Sequence, residues 1–251
     1  MKVYKSLVNC IFPILVVAVI FLIWWIAALA IDASLILPSP SESLRAFFAY
    51  FTETSFWRAI GNTMWRSLYS FIVSFVLAIV SALLAYRYRY AKKLINPFIA
   101  FIRSVPTMSV ILILIIWLNP KVAPAVVAII VIFPTLYSSF AAAVESIDPR
   151  LIAMSEVYRV SKTERICKLY LPNMAPGLFE GSASGFSLNI KLVIAAEALA
   201  HTTASIGSMM NFSQALLETQ ELFALTIAAV LLSVLCEWAI RLVAKAVIRW
   251  K

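Results

Sequence analysis

One histidine, three cysteines and five glycines are all that this 251-residue chain carries of the residues on which metal, thiol and phosphate chemistry commonly rest. Cys10, Cys167 and Cys236 are widely separated, so they form no short metal-type pair and no even-numbered disulfide framework. Gly61, Gly177, Gly181, Gly185 and Gly207 include no Gly-Lys-Ser/Thr phosphate cradle, which moves any nucleotide chemistry to another chain. A serine nucleophile and its base must approach within about 2.6–3.2 Å. Ser184 and His201 stand 17 residues apart on one expected helix, roughly 25 Å along its axis, so an intramembrane serine protease requires that helix to break. Strict apolar/polar alternation is also missing, which excludes a membrane β-barrel.

Apolar residues are what the chain has in abundance. They make up 63% of it, with a mean hydropathy of +0.95, against about 45–50% in a soluble domain. Six segments are long enough for a bilayer core, which takes roughly 20 apolar residues: Ile11–Ile31, Asn62–Tyr86, Pro97–Leu118, Val122–Val144, Gly181–His201 and Glu221–Val243. Hydrocarbon cannot pair backbone amides, so these spans are expected to be helices in an all-α membrane protein. The net charge of +9 reads as topology rather than nucleic-acid binding. Fifteen of the 21 basic residues fall on one side of the six spans, at Lys2 and Lys5, Arg87 to Lys93, Arg150 to Lys168, and Arg241 to Lys251. That side is cytoplasmic by the positive-inside rule, which puts both termini there. The first apolar run exceeds the roughly 7–15 residues of a signal-peptide core, so an uncleaved first helix is expected.

Two segments outside the spans are strongly punctuated. Ser39-Pro40-Ser41-Glu42 is a capping box with a proline at the first helical position, and it opens a short outer helix with Leu44, Phe47, Phe48 and Phe51 at helical spacing. On the cytoplasmic side, Asp148-Pro149 starts a helix that runs through Met154, Ser155, Glu156, Val157 and Tyr158. After a bend at Arg159 to Ser161, a second capping box, Ser161 to Glu164, starts another through Arg165 that is expected to end before Leu171-Pro172. Such a hairpin suits either docking of a partner or a solvated amphipathic loop.

In the fifth span Gly177, Gly181 and Gly185 recur every fourth residue, a small-residue stripe for close helix packing within the subunit or across a dimer seam. Arg103, Lys191 and Glu197 are ionisable residues inside spans, where each costs about 2.5–3.5 kcal/mol or more unless it faces a partner or a wet cavity. Lys191 and Glu197, six positions apart, point about 120° away from one another. Two readings stand: a translocation route lined by Lys191 and Arg103 with Glu197 at a gate, or an inter-helix ion pair such as Arg103 with Glu197.

The cytoplasmic stretch resembles the signature loop of binding-protein-dependent ABC importer permeases: Glu-Ala-Ala, three residues, Gly, nine residues, an aliphatic, one residue, Leu-Pro. Leu169 and Leu171-Pro172 match, with Val160-Ser161 beside the bend, while Arg159 stands at the glycine and Ala153-Met154-Ser155 replaces Glu-Ala-Ala. Leu37-Pro38-Ser39-Pro40, Arg103-Ser104-Val105-Pro106-Thr107, Ala195-Ala196-Glu197 and Leu222-Phe223-Ala224 resemble the sulfonate, taurine and nitrate branch. The resemblance implies a type I importer permease fold. It divides the chain into a first helix with its outer segment (1–55), a permease domain (56–245) whose coupling loop spans 148–176, and a basic tail (246–251). It further implies a bacterial inner-membrane homodimer, two ABC ATPase subunits that hold ATP and Mg, and an extracytoplasmic solute-binding protein. Neither a catalytic residue, a metal nor a resident cofactor is expected in this chain. A self-sufficient secondary transporter is the main alternative, although no inverted repeat is apparent.

Overall fold

The computed structural model describes the backbone of residues 2–248 and the side chains of residues 15–248, and every regular element among them is helical. The basic tail from residue 249 onward, and the side chains of Lys2, Lys5 and Cys10, lie outside the described residues. The order is α1 (Lys2–Ile31), α2 (Pro40–Tyr50), α3 (Thr54–Arg87), α4 (Arg89–Ser104), α5 (Thr107–Trp117), α6 (Ala123–Glu145), α7 (Pro149–Val157), α8 (Lys162–Arg165), a π-turn (Ile166–Tyr170), α9 (Leu171–Leu199), α10 (Ile206–Ala215) and α11 (Thr219–Val247).

Helix α9 is the axis of the bundle, packed against α3, α6, α10 and α11. The sequence permits this by keeping contact faces small. On α3 the buried residues Ala59, Thr63, Ser67, Ser70, Ser74, Ala78 and Ala82 recur every three or four positions, forming one narrow stripe that admits a neighbouring backbone. On α9 the glycine stripe meets α6. A Cβ on Gly177, Gly181 or Gly185 would fall 2.7 Å from Ala143 Cβ, 2.7 Å from Ser139 Cβ and 2.6 Å from Leu136 Cδ2 respectively. The stripe is therefore an intrasubunit seam. Larger side chains fill the flanks, with Phe71 edge-on to Phe186 and Phe75 edge-on to Phe140.

The outer helix α2 forms as its capping box requires: the Ser39 N–H donates to Glu42 Oε2 at 2.8 Å and the Glu42 N–H to Ser39 Oγ at 3.3 Å. Its buried residues Phe47 and Tyr50 pack with Phe56 against Ala224, Leu225 and Ala228 of α11, while Phe48 stays exposed. Helix α1 stands apart and exposes apolar side chains such as Ile23 and Leu29, as a lipid-facing helix does. It is tied back by Trp24, whose indole N–H donates to Pro38 O at 3.0 Å and whose ring stacks on Phe223.

Two of the expected spans need redrawing. Pro97–Leu118 is not one helix: α4 and α5 meet at 91°. The break falls at Val105, held extended (φ −77°, ψ 127°) by the proline that follows it. With 11 residues, α5 rises only about 16 Å, too little to cross a bilayer core of about 30 Å by itself. The fifth span begins ten residues before Gly181 and closes at Leu199, leaving His201 in the loop at φ 48°. Helices α3, α6 and α11 are long and apolar enough to cross a bilayer, the bent pair brings the number to four if it is one span, and residues 15–31 of α1 are apolar throughout. Helix α9 is too polar to qualify by composition, because the surrounding helices rather than lipid solvate it.

The seam is testable by thermal unfolding in detergent. Gly181→Leu should cost about 1–3 kcal/mol through overpacking against Ser139. Gly61→Ala, whose new Cβ meets nothing within 4 Å, should stabilise by about 0.5–1 kcal/mol.

Candidate translocation and coupling site

The hairpin at 148–176 keeps both starts that the sequence sets. Asp148 Oδ1 accepts the Arg150 N–H at 2.8 Å, and Ser161 Oγ accepts the Glu164 N–H at 3.2 Å. The second is only half of the expected box. Glu164 Oε2 takes the Ser161 hydroxyl at 3.1 Å instead of its backbone N–H, and its other oxygen takes Lys168 Nζ at 2.9 Å. Those bonds hold the Glu164 carboxyl below the usual carboxylate range.

Between the two starts, α7 ends in a Schellman turn. The Val160 N–H donates to Ser155 O and the Arg159 N–H to Glu156 O, each at 3.0 Å, with Arg159 left-handed at φ 52°. A glycine suits that position because it has no Cβ to clash. The bend thus survives the missing glycine. Met154, Val157 and Tyr158 are exposed at the tip, and Arg165 pairs with Glu156 at 3.2 Å beside them.

The second arm does not end at Leu171-Pro172. A π-turn at Ile166–Tyr170, closed by the Leu171 N–H on Ile166 O, widens the backbone just where Pro172 lacks its N–H, and α9 runs on unbroken. The second arm of the hairpin runs into the axial helix with no break in helical structure from Lys162 to Leu199. Its base is pinned where Val144, Ile147 and Met174 pack together with Ile152 and Tyr170.

The three ionisable span residues separate in space. Glu197 is fully buried, with Oε1 on Arg66 Nη1 at 2.8 Å, while its Oε2 accepts the Thr63 hydroxyl at 2.8 Å and the Gly207 N–H at 3.4 Å. Thr63 Oγ1 also accepts the Ile206 N–H at 3.1 Å. Carboxylate and hydroxyl thereby cap the first turn of α10, where the helix dipole favours negative charge. Gly207 fits because any Cβ there would lie 2.4 Å from Ile194 O. The expected Arg103–Glu197 pair does not form. Arg66 was legible as a partner, since it lies inside the second span as a charge needing one; position along the chain alone could not say which acid it meets.

Arg103 instead donates to Pro134 O at 3.2 Å. It lines a cavity of about 620 Å³ between α3, α4 and α6, together with Asn96, Tyr137 and the Lys92–Glu145 pair. The Tyr137 hydroxyl donates to Asn96 Oδ1 at 2.7 Å. Lys191 is in a separate groove between α9, α10 and α11. The protease geometry is absent: the Ser184 hydroxyl donates to Glu180 O of its own unbroken helix, and His201 sits beyond the far end.

Residues 74–249, more than two thirds of the chain, match the family described as the inner membrane component of binding-protein-dependent transport systems. The chain belongs to this family. It is 24% identical to a putative aliphatic sulfonates transport permease of Escherichia coli over 86% of this chain and 82% of that one. A Bacillus subtilis protein of the same description is 21% identical over 95% and 87%. The fold resembles a methionine ABC transporter in inward-facing conformations, with a TM-score of 0.62, 17% identity, and coverage of 77% of this chain and 96% of that one. An amino acid ABC transporter crystallised with histidines also scores 0.62, at 11% identity, covering 80% and 96%. The chain is accordingly a multi-pass importer permease of the inner membrane, with the fold expected of one.

Two outcomes test this geometry. Arg66→Met should lower stability by about 3–5 kcal/mol by leaving the Glu197 carboxylate buried and unpaired, and adding Glu197→Gln should recover much of that loss in thermal unfolding. Arg159→Gly should slow amide exchange at the hairpin tip, since it relieves about 1 kcal/mol of left-handed strain, whereas Arg159→Val should speed it.

Proposed function

We propose that this permease subunit pairs with a second copy and moves a small anionic solute, of the sulfonate class named for its relatives, into the cytoplasm. An extracytoplasmic binding protein delivers the solute, and two ABC ATPase subunits carrying ATP and Mg drive the cycle. All six helical segments lie in the membrane in this reading, with both termini cytoplasmic and residues 246–251 as a basic tail. The hairpin at 148–176 is the coupling element, and residues 56–245 form the permease domain.

The observation that carries the reading is the continuity of the hairpin with α9. An apolar tip on an otherwise charged loop is a docking feature, and here Met154, Val157 and Tyr158 are exposed at the tip. A motor that grips this tip acts, across the bend at Arg159, on the arm that continues into the helix bearing Lys191 and Glu197. Nucleotide binding then shifts a two-state equilibrium of the dimer. Arg103 and Lys191 line parts of the route, while the Glu197–Arg66 clasp holds α10 against α3 as the outer gate. A secondary transporter offers no role for such a handle.

Proteoliposomes holding the permease, its ATPase and its binding protein should take up solute only with ATP. Glu156→Arg, which removes the Arg165 partner beside the tip, should release the ATPase during purification and abolish uptake while the permease stays folded. Full uptake with a normally bound ATPase in that variant overturns the coupling role.

A further inference from the structure

The groove between α9, α10 and α11 carries a positive charge with nothing to balance it. Its volume is about 380 Å³, and its wall includes Lys191, Asn211, Gln214 and Thr226 but no aspartate or glutamate. Ion pairs among the described residues leave Lys191 out. The nearest acid along α9, Glu197, is unavailable because it is fully buried and already holds Arg66, Thr63 and Gly207.

Lys191 lies eight residues before the end of α9 at Leu199, about 12 Å inside at 1.5 Å per residue. An unpaired ammonium at that depth is costly unless water or an anionic partner meets it, and the open groove admits both. Asn211 and Gln214 sit one turn apart on α10 and therefore on one face, and each brings carboxamide N–H donors to the same groove. The Thr226 hydroxyl is committed to Leu222 O at 2.8 Å, so it contributes wall rather than donor. Ile194, Met210, Leu222 and Val230 complete an apolar lining.

We propose that this groove binds the headgroup of a monoanionic oxyanion solute with a short alkyl tail, Lys191 supplying the charge and Asn211 and Gln214 the hydrogen bonds. One ammonium neutralises one negative charge, two amides can reach separate oxygens, and the aliphatic wall takes the tail. The proposal rests on the importer reading above and names where in the subunit the solute is held. The same chemistry is offered by an anionic lipid headgroup, and the experiment separates the two sources.

The test is equilibrium binding of labelled ethanesulfonate to the purified full chain in detergent, with ethylammonium as the control cation. Ethanesulfonate should bind and ethylammonium should not. Lys191→Gln should weaken binding about tenfold or more, Asn211→Ala less, and Lys191→Arg should retain most of it. Thermal unfolding of the ligand-free variants should not fall, because the side chain is exposed and its loss opens no void. Failure of the wild-type chain to bind ethanesulfonate overturns the proposal, as does equal binding by Lys191→Gln. If Lys191→Gln instead loses only co-purified phosphatidylglycerol, the groove is a lipid site and the proposal fails. ATP-driven uptake that persists while either overturning result is found leaves the permease standing and removes only the groove.

Discussion

Hydrocarbon supplies no hydrogen bonds, so a polar helix can exist at membrane depth only when other helices surround it. Helix α9 meets that condition. Ser182, Ser187, Asn189 and Glu197 are all buried along it, and the carboxamide and above all the carboxylate would be costly on a lipid-facing surface. The small faces of α3 and the glycine seam with α6 let neighbours come close enough to answer them. Asn189 Nδ2 donates to Ser67 O at 2.8 Å and to Ser70 Oγ at 3.1 Å, and Glu197 is met from α3 and α10. Close packing and polar satisfaction are thus one requirement seen twice.

From that axis follows the mechanics of the inner face. A proline at 172 ordinarily ends a helix, and an ending there would have separated the cytoplasmic hairpin from the membrane by a flexible joint. The π-turn absorbs it, so helical structure continues from Lys162 to Leu199, whose far end lies beside the Glu197–Arg66 clasp. The left-handed Arg159 shows the same economy of shape: the turn's paired backbone bonds hold the bend even where the side chain opposes it.

Charge is divided by burial. The fully buried Glu197 is neutralised by Arg66 and capped by hydroxyl and amide donors, which makes it a structural clasp. Exposed pairs such as Lys92–Glu145 and Arg241–Glu180 sit toward the hairpin side of the bundle, where solvent screens them and their energetic weight is small. Lys191 has no such ion pair among the described residues. At the outer end, burial and the bond to Glu221 push the Tyr50 phenol above its usual range, so it remains a neutral donor tying α2 to α11.

Much of this was readable in the chain. Apolar runs announced the membrane, capping residues at Ser39, Asp148 and Ser161 announced helix starts, and the spacing of Gly177, Gly181 and Gly185 announced a tight seam, because all three depend on neighbours a few residues away. The break at Val105-Pro106 was legible too but was overridden by hydropathy, which is blind to direction. The partners of Glu197 and Arg103, the α6 side of the glycine seam, and the unbroken passage from hairpin to α9 depend on residues far apart in sequence, some more than a hundred positions. Amino-acid order determined which segments are helical, apolar or capped. Only the packed bundle decided which charges meet, because in a low-dielectric interior that is settled by which helix faces lie opposite one another.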